Sequence, residues 1–404
     1  MLDAVPHNRP ASRLATRLAF FVAGFGIACW APLVPFAKQR LAVDDATLGL
    51  LLFCIGMGSV VAMQFSGALS ARYGAKPAIV MGGLGLAAIL PFLSVLATPP
   101  ALAVALFGFG AALGSLDVAM NIHGVEVERA AGRPMMSGFH ALFSIGGFAG
   151  ATFMTSLLSS HLAPLGSTLC CAAVMLVLTL FAWPRLLTGV QGETGPLFVV
   201  PRGIVLLIAG LAAASFLVEG SLLEWSALLI TSTGLASAAR GGIGYMLFAI
   251  AMTGGRFAGD AVTTCVGDRA TLFWSGILAV AGFVVLLAAP VAALALTGFL
   301  LIGLGASNIV PVLFRRAGSQ TVMPPALAIS AMTTAGYGGS LVGPAAMGFV
   351  SKAVGLHNAF WMLAALLCLV PLTARFVAGG SVREGLRGPG SGCGKAVRSC
   401  GVRR

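Results

Sequence analysis

The chain has 404 residues, 58% of them hydrophobic and only 9% charged, with a mean hydropathy of +0.99. A soluble domain is about a quarter charged, so this composition excludes a set of soluble domains and describes an integral membrane protein. The formal net charge of +12 would point to nucleic acid in a soluble protein; here its placement along the chain decides its meaning.

A bilayer core of about 30 Å takes about 20 apolar residues per helix. By that ruler a first span covers 16–37. Its apolar run is longer than a signal-peptide core of about 7–15 residues, so it reads as a retained helix. Further spans are expected near 46–70, 77–97, 101–124, 136–160 and 164–184. A polar stretch at 186–202 then interrupts the pattern, and six more spans follow near 203–231, 239–262, 270–289, 291–314, 326–351 and 357–378. The expected organisation is a six-helix half at 1–185, a cytoplasmic linker at 186–202, a second six-helix half at 203–378 and a basic tail at 379–404. The tail is rich in Gly, Ser and Arg with few large apolar groups, a composition that favours disorder.

An even number of spans puts both termini on one side. If that side is the cytoplasm, only Lys38, Arg40, Arg240 and Lys352 fall outside, and twenty of the 24 cations lie inside. Under the positive-inside rule this predicts a multi-pass protein of the inner (plasma) membrane with both termini cytoplasmic. The charge therefore orients the chain in the bilayer, and no nucleic-acid partner is expected. The eight cysteines show no zinc or redox spacing. There is no phosphate loop, no His-Glu-x-x-His and no Gly-x-Ser-x-Gly, so neither ATP-driven transport nor an enzyme is expected, and no metal or cofactor.

The two halves repeat each other. Ser137, His140, Ser144, Gly147 and Ala151 are followed 193 positions later by Ser330, Thr333, Tyr337, Ser340 and Pro344. Gly146 and Gly150 are matched by Gly339 and Gly343 at the same offset. Small residues four apart let helices approach closely in lipid. Asn121 and Asn308 hold equivalent places in spans four and ten, as do Trp30 and Trp225 in spans one and seven. Offsets of 187 to 195 in register mark a duplication.

Two six-helix halves with a linker resemble the major facilitator superfamily. Gly114-Ser-Leu-Asp117-Val-Ala-Met-Asn121, Val125-Glu126-Val-Glu128-Arg129 and Phe139-His140-Ala-Leu-Phe-Ser144-Ile-Gly146-Gly147 are similar to a bacterial branch containing the rhizopine-associated MosC-like proteins. Trp30-Ala-Pro32, Glu219-Gly-x3-Glu224-Trp225-Ser226 and Tyr337-Gly-Gly-x3-Gly343-Pro344 look like the same branch, which is more distantly similar to proton-coupled fucose permeases. The likeness spans about Arg13 to Phe376. It implies an all-α membrane fold of twelve transmembrane helices in two pseudo-symmetric six-helix halves. It also implies a midplane site lined by spans one, four, seven and ten. One departure stands out: Ala71 precedes Arg72 in Gly67-Ala-Leu-Ser-Ala71-Arg72-Tyr-Gly74, where the superfamily loop usually carries Asp.

Ionisable groups inside a bilayer usually face a partner or a water-filled cavity. Asp117 shares a face with Gly110, Gly114 and Asn121, as a cavity-lining helix would, although pairing with Arg129 or Arg133 is the structural alternative. Glu219 shares a face with Ser215 and Ser226 deep in span seven, and Glu224 lies nearer its outer end. Asn121 and Asn308 could bind hydroxyls of a polar solute or join helices. Trp30, Trp225 and Tyr337 complete the substrate or proton candidates, with Gln64 a weaker one. His140, Arg72, Arg256, Asp260 and Glu126 are expected to gate or to hold structure, with Arg256 and Asp260 four apart and able to pair. A carboxyl group in a low-dielectric site favours its neutral form, which is the physical basis for proton coupling.

The expected function is secondary transport of a small polar solute, sugar-like or amino-polyol, by a monomer, with proton symport favoured. Efflux of an apolar, drug-like compound is the rival within transport, and a non-transporting membrane sensor or scaffold the rival from another class.

Overall fold

The computed structural model describes residues 10–43, 45–188, 200–232, 234 and 243–378. The middle of the expected linker, the whole basic tail, and the cations Arg9 and Arg240 lie outside the described residues.

Every regular element among the described residues is a helix. The first half contains α1 (Pro10–Trp30), α2 (Val34–Leu41), α3 (Asp45–Tyr73), α4 (Ala75–Leu93), α5 (Pro99–Ala131), α6 (Met136–Ser159) and α7 (Pro164–Ala182). The second contains α8 (Ile204–Ser232), α9 (Ile243–Ala288), α10 (Ala292–Ala306), α11 (Ile309–Ser319), α12 (Pro325–Val354), α13 (Leu356–Leu367) and α14 (Leu369–Val377). Among the described residues, ten helical stretches are long and apolar enough to cross a bilayer. One of them, α9, makes two crossings, and α12 at 30 residues completes twelve.

Prolines break the spans that the sequence reads as continuous. Span ten divides into α10 and α11 at Ser307–Asn308, four residues before Pro311, and span twelve divides at Cys368, just before Pro371. A proline offers no N–H to the carbonyl four residues back and crowds it with its ring. Span one likewise ends in a short turn at Ala31–Leu33 that contains Pro32 before α2 resumes.

Other spans run closer together than expected. Gly74 (φ 78, ψ 167) is the whole turn between α3 and α4, and Gly267 (φ 81, ψ 164) is the whole turn between the two crossings of α9. They stand 193 positions apart in one conformation, which side chains avoid and glycine accepts. A single such residue reverses the chain, so the loop expected between 262 and 270 does not exist.

The repeat is visible in the packing as well. A Cβ on Gly146 or Gly150 in α6 would run into the carbonyl oxygens of Phe21 and Phe25 in α1; on Gly339 and Gly343 in α12 it would meet those of Ala213 and Leu217 in α8. Small residues thus bring equivalent helices to backbone contact in both halves. Beyond this pairing, α2 anchors the first half. Arg40 donates to the carbonyls of Ser94 (2.6 Å), Leu93 (2.8 Å) and Leu96 (3.0 Å) at the end of α4, satisfying acceptors that a helix C-terminus leaves open. The halves meet along a seam where α3 packs on α12 and α6 on α9.

Candidate functional site

Near the middle of α5, Asp117 and Asn121 are both buried, one turn apart. Asn121 Nδ2 donates to the Asp117 carbonyl (2.8 Å) and reaches its carboxylate Oδ1 at 3.4 Å, while Asn121 Oδ1 has no partner in the protein. Asp117 pairs with neither Arg129 nor Arg133; Arg129 donates instead to the carbonyl of Gly318 at 2.6 Å. From the opposite half, Tyr337 lies close enough to Asp117 to interact electrostatically. The glycines on this helix play a different part from the one expected. Gly110 and Gly114 lie against the carbonyls of Ile55 and Ser59 in α3, so they serve helix packing and do not line a cavity.

The second cluster belongs to α8 and the first crossing of α9. Glu219 is half-buried, and its Oε1 has no protein partner. Arg256 and Tyr245 both interact electrostatically with it. Arg256 is 8% exposed and reaches across the seam, where Nη1 donates to Ser144 Oγ of α6 at 2.8 Å; its Nε is buried without a partner. His140, one turn before Ser144, lies between the rings of Phe20 (5.2 Å) and Phe314 (5.4 Å), and its Nε2 is also unpartnered.

Toward the end of the bundle where α5 gives way to α6, polar contacts bind the halves together. Four N–H groups at the start of α6 need acceptors. Met135 and Met136 donate to Glu128 (2.6 and 2.9 Å), and Ser137 and Gly138 donate to Asp260 (3.0 and 2.8 Å) of the other half. Arg315 pairs with Glu128 and with Asp268 (2.5 Å). Asp260 and Arg256 therefore do not pair with each other as their spacing allowed, because each finds its partner across the seam. Asn308 belongs to this end too. Its Oδ1 accepts from Ser137 Oγ (2.8 Å), and its Nδ2 donates to Ser307 Oγ (2.9 Å) and the Gly255 carbonyl (3.3 Å). With those bonds satisfied it holds helices together and leaves no amide group free for a ligand.

The remaining candidates scatter. Trp30 is buried with its Nε1 unpartnered, Trp225 is half-buried beside Gly348, and Glu224 is exposed. Arg72 is exposed and lies over the Tyr73 ring at 5.1 Å, and Glu126 is half-buried away from the clasp that Glu128 makes. Sequence reasoning passed over Asp268, Tyr245, His123 and Arg315, and Glu128 entered it only within the Val125–Arg129 motif. His123 is fully buried: Leu187 N–H donates to its Nε2 (2.9 Å), and its Nδ1 meets Thr16 Oγ1 (3.0 Å). The Thr16 hydroxyl proton goes to the Ser12 carbonyl (2.9 Å), so Nδ1 carries the hydrogen. No spacing between residues 16, 123 and 187 could have announced that chain. The signal for Glu128 and Arg315 was present in their matched positions, Glu-Arg-Ala-Ala-Gly against Arg-Arg-Ala-Gly.

The seam thus gathers carboxyl, guanidinium, phenol and amide groups from α5, α6, α8, α9 and α12, a wider set than spans one, four, seven and ten. Among the described residues no cluster of His, Cys, Asp and Glu could hold a metal ion. The groove lined by Phe65, Leu69, Met81 and Ala111 is mostly apolar, and none of these groups lines it.

Comparison with known proteins gives a consistent result. The family model described as Major Facilitator Superfamily matches residues 17–322. An uncharacterized MFS-type transporter of Yersinia pestis is 48% identical over 367 residues, covering 90% of this chain and 95% of the relative. Membrane protein MosC of Rhizobium meliloti is 30% identical over 375 residues, 92% of each chain. Among solved structures, the E. coli fucose:proton symporter FucP superposes with a TM-score of 0.71 at 18% identity, over 91% of this chain and 98% of the symporter.

Proposed function

The chain belongs to the major facilitator superfamily, and from that premise we propose that it is a secondary active transporter of a small polar solute, sugar-like or amino-polyol, coupled to protons. The observation that carries this reading is the set of buried polar atoms at the seam with no partner in the protein: Asn121 Oδ1, Glu219 Oε1 and Arg256 Nε. Buried polar groups left unpaired are costly, and such atoms on both halves are suited to a solute that supplies the missing hydrogen bonds. Glu219 is the group we assign to the coupled proton, with Asp117 facing Tyr337 as its counterpart in the first half.

Alternating access follows from the closed end. Glu128, Asp260, Arg315 and Asn308 hold the halves together where α6 begins, and these contacts must part for the solute to leave on that side. The charge bias favours the cytoplasm for this end. The superposition with a fucose:proton symporter supports the fold and agrees with uptake by symport. Efflux of an apolar compound would call for apolar and aromatic lining, whereas the unpartnered seam atoms are polar.

The test is uptake of a solute panel into proteoliposomes with and without a pH gradient. Saturable, gradient-driven uptake that loses its gradient dependence in Glu219→Gln is the expected result. Uptake indifferent to both the gradient and the substitution would overturn proton coupling. A label reaching a cysteine placed in the C-terminal tail from outside would overturn the topology.

A further inference from the structure

Cys29 and Cys171 are 142 positions apart and play no part in the transport proposed above. Both are fully buried (0% exposed), whereas Cys170 and Cys265 are exposed and Cys54 and Cys368 are half-buried. The packing of α1 on α7 brings the two buried thiols to one level. Ala19 and Val22 of α1 line one crevice with Leu178, Thr179 and Ala182 of α7. One turn further along α1 and one turn back along α7, a Cβ on Gly26 would stand 3.0 Å from Met175 Sδ. The two helices therefore run antiparallel in constant register, and the next turn in the same directions reaches Cys29 and Cys171. Residues three or four apart share a helix face, so both thiols belong to the contact that Gly26 and Met175 begin. Cys29 Sγ is also fixed from α6, donating to the Gly150 carbonyl at 3.6 Å. A hydrogen bond between the two thiols agrees with the register.

Facing thiols on closely packed helices need little backbone movement to become a disulfide, whose Cα atoms stand about 4.4–6.8 Å apart. We infer that Cys29 and Cys171 are a redox-active pair that a two-electron oxidant closes into a disulfide, stapling α1 to α7 within the first half. The S–S bond forms as both S–H bonds break. The two protons and two electrons pass to the oxidant, as when the N=N bond of a diazenedicarboxamide becomes the N–N bond of its hydrazine. A dithiol reverses the step by exchange. Cys171 lies seven residues after Pro164, about 10 Å along α7, so the oxidant that reaches it is small and uncharged. A bridge between positions so far apart in the chain restricts the unfolded state. Because α1 and α7 belong to the same half, it stabilises that half without crossing the seam.

The experiment treats the full chain in proteoliposomes with the diazenedicarboxamide diamide. Remaining thiols are then blocked with N-ethylmaleimide under denaturing conditions, and the peptides are mapped by mass spectrometry. A linked pair of peptides carrying Cys29 and Cys171 is expected, released by dithiothreitol and absent from Cys29→Ser and Cys171→Ser. The thermal midpoint of the oxidised wild type should lie several degrees above that of the reduced protein, with no such rise in Cys171→Ser. Cys170→Ser, at the exposed neighbouring position, should leave both readouts as in the wild type. The wild-type peptide map needs no substitution, so the test stays readable if a buried serine impairs folding. Alkylation of both thiols after oxidation, a bridge that runs to Cys170 instead, or a bridge formed without a rise in the midpoint would each overturn the inference. None of these outcomes bears on transport, which the solute panel above tests separately.

Discussion

Glu128 and Arg315 stand 187 positions apart, at the same place in the two repeats, and pair with each other across the seam. A position close to the pseudo-twofold axis meets its own counterpart, and two like charges there would repel. The pair is not simply interchangeable, because Glu128 also accepts from the N–H groups of Met135 and Met136. Arg315→Ala leaves Glu128 without its cation and Asp268 with only the longer contact to Arg316 at 3.9 Å; the Arg315 and Glu128 side chains are 14% and 7% exposed. A destabilisation of about 3 kcal/mol is expected, read as a lower thermal midpoint in detergent. The swap Glu128→Arg with Arg315→Glu should not recover it, since an arginine cannot accept from the start of α6. Full recovery would refute this account of the clasp.

Asp260 is the carboxylate that the second half lends to α6. Asp260→Asn keeps one acceptor, sets an NH2 donor against the other N–H and removes the charge facing a helix N-terminus, a loss of about 1–3 kcal/mol. Since that contact exists only while this end is closed, the population of the open form should rise several-fold. Spin labels at Arg133 and Val322, on opposite halves at the same end, would report it as growth of a longer distance. An unchanged distribution would show that Asp260 does not hold the end shut.

Gly67 stands 193 positions before Asp260, and Ser330 stands 193 positions after Ser137, so the two seams are built on matched positions with different chemistry. A Cβ on Gly67 would run into the Ser330 side chain, whose hydroxyl donates to the Met63 carbonyl at 2.6 Å. Gly67→Val should therefore wedge α3 from α12 and abolish transport while expression and thermal midpoint change little. Transport that survives at the wild-type rate would mean that this close approach is not needed in the cycle.

His123 joins α5 to α1 and to the segment after α7. His123→Leu strands the Leu187 N–H and takes away the donor to Thr16 Oγ1, whose own proton stays on the Ser12 carbonyl, with an expected cost of about 2 kcal/mol. Asn at this position could replace the bond to Thr16 alone and should recover part of the loss. Equal thermal midpoints for the wild type and His123→Leu would contradict the chain of bonds described here.

How much of this was legible in advance differs from element to element. The repeat was readable because it fixes small residues at fixed offsets, and Gly146 and Gly339 indeed touch equivalent carbonyls. Charge partners were not. Val125-Glu126-Val-Glu128 places two acids two residues apart on different sides of one helix, and only tertiary packing decides that Glu128 meets Arg315 while Glu126 does not. Arg256 and Asp260 satisfied a local pairing rule, yet each found a better partner on another helix. Asn308 could bind a solute or join helices on the sequence alone, and its bonds to Ser137 and the Gly255 carbonyl come from helices far away in the chain. Helix period and composition are local quantities, whereas the seam is made of residues more than a hundred positions apart.

The single-glycine turns at Gly74 and Gly267 have a mechanical consequence. With no slack between the helices they join, α3 with α4 and the two crossings of α9 are tied together at that end of the bundle. The chain has thus placed fixed joints beside the seam, and the compliance needed for movement has to come from its other connections.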